Sequence, residues 1–174
     1  MEELSRLTDR TISLRPFKLE DAKEHISGED AEQINWLSGG KSTLEGVQDW
    51  IKKNQQYWEN DGPIFNFAIV NADNKLVGMI EANSSYEEIE GLQKGDVNIS
   101  YGLYPSARGK GYASRAVDLM ISFLRQKGFQ RAVIRVDPNN KDSLKVPQRT
   151  GFSHQGKIEV DKAKELEVFV KNLG

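Results

Sequence analysis

A short basic turn between two regular stretches holds residues that could bind an anion. Arg108-Gly109-Lys110-Gly111 is followed by Tyr112, Ala113 and Ser114, and Ala116, Val117, Leu119, Met120, Phe123 and Leu124 continue at helical spacing. Small residues at the head of a helix let its unpaired N–H groups approach a ligand closely. The helix dipole favours negative charge there, Arg108 and Lys110 add mobile positive charge, and the guest that fits is a phosphate. Taken alone, the turn also fits a structural role in which Gly109 and Gly111 serve tight backbone geometry. Two other phosphate motifs are weaker. Gly39-Gly40-Lys41-Ser42-Thr43 imitates the end of a nucleotide-binding loop, but the first glycine of that motif would fall on Asn35 and no apolar strand precedes it. A dinucleotide fingerprint would need a third glycine where Ser114 stands.

The strand before the turn must position it. Val97, Ile99, Tyr101 and Leu103 alternate with Asn98, Ser100, Gly102 and Tyr104, the period of a half-buried strand, and Pro105 ends the ladder because it brings no N–H. Gly128 should stop the following helix, and residues 132–136 read as a buried strand. Upstream, the pattern predicts a strand over 11–15, a short helix over 19–25 and an irregular stretch over 27–42. Thr43 should cap a helix carrying Leu44, Val47, Ile51 and Trp58 that ends before Gly62-Pro63. A hairpin over 65–70 and 76–82 follows, and then an exposed connection over 84–95 with Glu87, Glu88 and Glu90. Downstream come a short helix over 143–150 with Pro147 inside it and a last hairpin over 152–160 and 165–170. Two hairpins flanking a strand-helix-strand unit predict an α+β fold built on one mixed sheet.

At 174 residues the chain suits a single domain, 1–174, with a sizeable core. Lys and Arg number 24 against 26 Asp and Glu, a net charge of −2 that leaves no electrostatic footprint for nucleic acid. Cysteine is absent, which excludes disulfides, thiolate metal sites and a cysteine nucleophile. His25 and His154 lack metal spacing. No apolar run approaches the ~18 residues of a membrane span and the first ten residues lack the pattern of a signal peptide, so the cytoplasm is the expected location.

Residues 108–113 resemble the R/Q-x-x-G-x-G/A pyrophosphate loop of the GNAT superfamily of N-acetyltransferases. A second stretch, from Asn140 and Ser143 through Val146-Pro147 to Gly151-Phe152, resembles the N-x-x-S…G-F segment of the same family. The likeness covers nearly the whole chain, and its form resembles the branch that acetylates N-terminal amines of ribosomal proteins. It implies a mostly antiparallel sheet of six to seven strands, splayed between the fourth, 97–104, and the fifth, 132–136, with acetyl-CoA in the opening and no metal. Strand backbone at Tyr101 and Leu103 would pair with the cofactor arm. Arg108, Gly109, Lys110, Gly111, Tyr112, Ala113 and Ser114 would hold the pyrophosphate, Asn140 would touch the arm, and Ser143 would lie near the sulfur. Family habit also suggests a homodimer.

Acetyl transfer to an amine requires the amine to be deprotonated, the thioester carbonyl polarised and the departing thiolate stabilised. Polarisation is expected from a backbone N–H exposed by a distortion of the strand around 99–101. The Ser143 hydroxyl could bond to the thiolate or, as a first-turn helix residue, to backbone. Pro147 stands where many relatives carry a tyrosine acid, and Asn98 stands where an acid often precedes the I-G-Y triplet. Asp96, on the same strand face as Asn98, is therefore the first expectation for the base, with Glu81, Glu159 and Asp161 as alternatives acting through a water if burial raises their pKa. Without a cysteine, direct attack within a ternary complex is the expected route. The expected activity is acetyl-CoA-dependent acetylation of a protein N-terminal amine. The alternatives are a polyamine, amino acid or aminoglycoside acceptor, or an acyl-CoA sensor that has lost the chemistry.

Overall fold

The computed structural model describes residues 7–28, 42–161 and 163–174. In chain order these form β1 (Leu7–Thr8), β2 (Ile12–Pro16), α1 (Asp21–Gly28), α2 (Leu44–Glu59), β3 (Ile64–Asn71), β4 (Leu76–Asn83) and β5 (Asp96–Leu103). A single 3-10 turn (Pro105–Ala107) leads to α3 (Tyr112–Lys127), β6 (Arg131–Val136), α4 (Lys141–Arg149), β7 (Ser153–Val160) and β8 (Lys164–Asn172). The strands make one sheet in the order β1-β2-β3-β4-β5-β6-β8-β7, antiparallel throughout except between β5 and β6. The expected α+β architecture is thus what the chain adopts, with one strand more than predicted. That strand, β1, has two residues, too few to show a period; it is held by the pairs Leu7↔Leu14 and Thr8↔Ser13.

Local chemistry sets most of the boundaries. The Thr43 hydroxyl accepts from the Gly46 N–H at 3.0 Å, so α2 begins where the cap was expected. Helix α1 starts at Asp21 because that carboxylate accepts from the Lys18 N–H at 2.7 Å and from both terminal nitrogens of Arg15 at 2.7 and 2.8 Å. Helix α4 begins at Lys141, two residues earlier than the periodicity suggests, since Asn140 caps it by accepting from the Ser143 N–H at 3.2 Å. Gly128 ends α3 in the left-handed region at φ 84°. Of the stretch read as irregular, residues 29–41 lie outside the described ones, and with them Trp36 and the two glycines of the nucleotide-loop imitation.

The sheet is buried on both faces. Helix α3 lays Ala116, Val117, Met120, Phe123 and Leu124 against Phe65, Phe67, Ile80, Ala82, Val97 and Ile99. On the other face α1 and α2 bring Ala22, Val47 and Ile51 onto Ala68, Val70 and Leu76. Each fully buried large side chain contributes roughly 1.5–3 kcal/mol, and the two layers clamp the central strands from both sides. Among the described residues no helix is long and apolar enough to cross a membrane.

One close approach fixes how β4 carries the end of β5. Gly78 pairs with Leu103, and a Cβ built on it would sit 2.3 Å from the Gly102 carbonyl oxygen, a backbone atom that cannot swing aside. Gly78→Ala should therefore push the two strands apart and cost about 1–3 kcal/mol in urea unfolding, with a shift of Leu103 visible in the amide spectrum of β5.

Candidate active site

The parallel pair of β5 and β6 lasts three rungs, Asp96↔Arg131, Val97↔Ala132 and Asn98↔Val133. Beyond them, residues 99–103 pair with β4 alone and Ile134, Arg135 and Val136 with β8 alone. The sheet is split into a wedge whose two inner edges present backbone groups to whatever lies between them. The predicted splay is present, and the register of β5 on β4 runs unbroken from Leu103 to Asn98, so no bulge frees the N–H groups of 99–101. Separation of the strands does so instead.

The wedge opens into a cleft of about 520 Å³ lined on one edge by Ile99, Tyr101 and Leu103, on the other by Ile134 and Val136, and at its mouth by the starts of α3 and α4. Gly109 and Gly111 both lie at φ 78°, and no heavy atom stands within 4 Å of a Cβ at either, so the turn bows around open space. Helix α3 has no side-chain cap. The N–H groups of Tyr112, Ala113 and Ser114 have no intrahelical partner by helix geometry, and all three residues line the cleft with Arg108. Of the residues expected at the cofactor, Lys110 alone is outside the lining: it is exposed on the turn.

Ser143 is held by its backbone. Its N–H donates to Asn140 Oδ1 at 3.2 Å and its carbonyl accepts from the Tyr101 hydroxyl at 2.9 Å, a bond that crosses the wedge from β5 to α4. That carbonyl is available because Pro147, four residues on, has no N–H to take it up. Burial pushes the Tyr101 phenol above its ordinary pKa, so it stays a neutral donor. Among the described residues nothing pairs with the Ser143 hydroxyl, which sits on the cleft lining beside Asn140.

Asp96 does not reach the cleft. It is 2% exposed, accepts from Arg131 Nε at 2.8 Å and Nη2 at 2.6 Å, and takes the Gln93 N–H at 3.0 Å. With both oxygens held, it is the fastener at the closed end of the wedge, and the base expected there is corrected to a structural ion pair. Glu159 and Asp161 are exposed on the β7–β8 hairpin. Glu81 is different: it pairs with Ser100 across β4 and β5, and its Oε2 accepts from Asn66 Nδ2 at 2.9 Å. Burial lifts its carboxyl above the ordinary glutamate range, and the Asn66 bond offsets only part of that.

Sequence reasoning missed the cations of the second edge and rim. Arg135 lines the cleft while its Nη1 donates to the Glu90 carbonyl at 3.1 Å and its Nε to Asn98 Oδ1 at 3.3 Å. Lys145 and Arg149 line it from α4. Their four-residue spacing beside the Asn140 segment was a usable signal. Lys164 comes from the far hairpin, and no local pattern announces it.

A split mixed sheet with an uncapped helix end and a glycine turn at its mouth defines a class of proteins built to take a phosphorylated ligand with an extended arm, and comparison with known proteins gives the family. The sequence model described as Acetyltransferase (GNAT) domain matches residues 11–153, so the chain belongs to the GNAT family and is an acyltransferase. It is 22% identical over 157 residues, 87% of this chain and 81% of the relative, to the SPbeta prophage-derived uncharacterized N-acetyltransferase YokL of Bacillus subtilis (strain 168). The ribosomal-protein-S5-alanine acetyltransferase of Vibrio fischeri has a similar fold, with a TM-score of 0.79, 18% identity and 96% of each chain covered. The microcin C7 self immunity acetyltransferase MccE, solved with acetyl-CoA and AMP, gives a TM-score of 0.78 at 20% identity over 95% of this chain and 93% of its own.

If Asp96 is a fastener, Asp96→Asn should lose about 1.5–3 kcal/mol in denaturant unfolding, because the buried side chain gives up its charge-assisted bonds to Arg131 while Arg131 itself stays partly in water. The pH dependence of acyl transfer by the folded fraction should be that of the wild type.

Proposed function

We propose that this protein transfers the acetyl group of acetyl-CoA to a primary amine, and that the amine is a protein N-terminus of the kind found on ribosomal proteins. The observation that carries the reading is the conjunction of the wedge with the uncapped start of α3: a split that accepts an amide-bearing arm ends at a helix terminus that accepts a pyrophosphate. MccE, of similar fold, was solved with acetyl-CoA, and the Vibrio fischeri enzyme acts on a ribosomal protein by its name. The cytoplasm is the setting this activity implies.

The residues divide the work. Arg108, Gly109, Gly111 and the N–H groups of Tyr112, Ala113 and Ser114 would hold the pyrophosphate, with Lys110 contributing charge from outside the contact. Backbone of Tyr101 and Leu103 on the open edge of β5 would pair with the arm, as would the Asn140 amide nitrogen, whose oxygen is already committed to the α4 cap. When bound, acetyl-CoA supplies the activated acyl group. The unpaired edge of β5 offers N–H groups to the carbonyl oxygen, fixed in advance by the β4 ladder. The Ser143 hydroxyl, whose backbone is anchored on both sides, is free to donate to the sulfur as it becomes a thiolate. With no cysteine in the chain, we read the transfer as direct, in a ternary complex.

Two variants test this. Gly111→Asp places a carboxylate against the pyrophosphate, where about 4 kcal/mol of repulsion at an effective dielectric near 20 should weaken acetyl-CoA binding by more than about 100-fold in calorimetry. The left-handed conformation should cost the variant only about 1 kcal/mol of stability, and unchanged affinity would remove the turn from the site. Ser143→Ala should lower kcat by roughly 10-fold or more, the worth of a hydrogen bond to a charged group, with acetyl-CoA affinity unaltered; a wild-type rate would remove the hydroxyl from the mechanism.

A further inference from the structure

The cations of the cleft fall into two groups. Arg108 stands on the turn before α3, and Lys145 and Arg149 stand on α4, at the mouth where the pyrophosphate is expected. Arg135 and Lys164 stand elsewhere. Ile99 of β5 and Ile134 and Val136 of β6 pack into the α3 layer, so alternation turns Asn98, Ser100 and Arg135 to the opposite face. On β8, Val168 is paired with Arg135, and Leu166 and Lys164 continue that face toward the hairpin. Phosphates bound at the head of α3 leave these two cations without a purpose.

Arg135 is fixed in place by neutral groups. Its Nε donates to Asn98 Oδ1 at 3.3 Å and its Nη1 to the Glu90 carbonyl at 3.1 Å, which holds the guanidinium plane between β5 and the 84–95 connection. Among the described residues nothing bonds to its Nη2, and no carboxylate forms an ion pair with it. Burial draws its pKa below the ordinary arginine value, and the Glu90 charge offsets only part of that. A cation kept partly out of water among neutral partners costs stability until an anion meets it, and the planar fork of a guanidinium matches a carboxylate. The nearby acids do not supply one. Asp96 is closed on Arg131, Glu81 is bonded to Asn66, Asp137 accepts from the Asn139 N–H at 2.9 Å, and Glu90 and Asp142 are exposed. Lys164 is exposed roughly 13 Å along β8 from Val168, near enough to attract a second charge on the same chain.

We propose that the acceptor carries a carboxylate close to its reacting amine, that Arg135 binds this carboxylate, and that Lys164 attracts acidic chains from farther out. This rests on the acetyltransferase reading above. With the pyrophosphate at α3, the arm brings the acyl group to the inner end of the wedge, where β5 and β6 stop pairing after Asn98. Packing closes the α3 face there and the cofactor fills the mouth, so the amine enters from the face that Asn98, Ser100 and Arg135 share. The guanidinium is one hydrogen bond from Asn98. A carboxylate held on it leaves space for only a few bonds between acid and amine. That fits an Asp or Glu side chain in the first two residues of a peptide, or the α-carboxylate of a free amino acid.

Matched acceptors test it. With the wild type, kcat/KM for peptides bearing Asp or Glu at the first or second position should exceed that for the Asn or Gln counterparts by roughly 10- to 100-fold, the worth of a hydrogen bond to a charged group. A free amino acid that outruns its own α-amide would identify the α-carboxylate as the source. Arg135→Gln should bring the acidic peptides down to the level of their neutral counterparts, mainly through KM, while calorimetry still shows acetyl-CoA bound. Arg135→Lys, which keeps the charge without the fork, should restore part of the preference. A merely structural hold on the 84–95 connection would lower every acceptor alike. Lys164→Ala, on an exposed side chain, should reduce the preference by roughly 2- to 5-fold at low salt and by less as salt is raised. Equal rates for acidic and neutral acceptors in the wild type, or a preference unmoved in Arg135→Gln, would overturn the proposal and leave the acetyltransferase reading standing. Failure of the wild type to bind acetyl-CoA would overturn the reading on which it rests.

Discussion

The ion pair between Asp96 and Arg131 joins the two central strands at the one end where they touch. Two charge-assisted bonds in a fork geometry, with one partner almost wholly removed from solvent, define the first rung of the only parallel pair among the described strands. From that rung the strands stay paired for two more and then part. A parallel pair needs a crossover, and here it is α3, which leaves from the open end and returns to the closed one. Both strands therefore finish at the mouth of the wedge, where α3 and α4 begin. Concentrating helix N-termini beyond the carboxyl ends of parallel strands is how open sheets make room for phosphorylated ligands.

A hydrogen bond from β5 to α4 then spans the mouth of the opening. Pro147 deprives the first turns of α4 of a helix hydrogen bond and leaves the Ser143 carbonyl without its usual donor. Tyr101 takes that place from β5. The exchange ties β5 to α4 at the mouth of the wedge and fixes the Ser143 backbone from both sides. A proline that reads locally as a defect is thus the reason a side chain from another element can dock.

The two faces of the sheet are put to different uses. The α3 face is apolar and carries the packing energy. The other is interrupted by Asn66, Glu81, Asn98 and Ser100, whose polar atoms weaken the layer under α2, and of these Asn98 and Ser100 line the cleft. The buried Asn66 oxygen has no hydrogen-bond partner, a cost to stability on this face.

Much of this molecule could be read from the chain alone, because dihedral sterics and side-chain periodicity are local. The alternation of 97–103, the apolar stripe of α3, the Thr43 cap, the Gly128 stop and the glycine turn before α3 all follow from residues within a few positions of one another. Membership in the GNAT family was legible for the same reason. Partners distant in sequence were not. Alternation put Asp96 on the face of a would-be base but could not show that Arg131, 35 residues on, would claim it. It put Tyr104 on the polar side, whereas the strand stops at Leu103 and the phenol is buried 2.6 Å from His25 Nδ1, across 79 residues. Local rules say which way a side chain leaves its strand. What it meets there is decided by burial and pairing among elements that only the folded chain brings together.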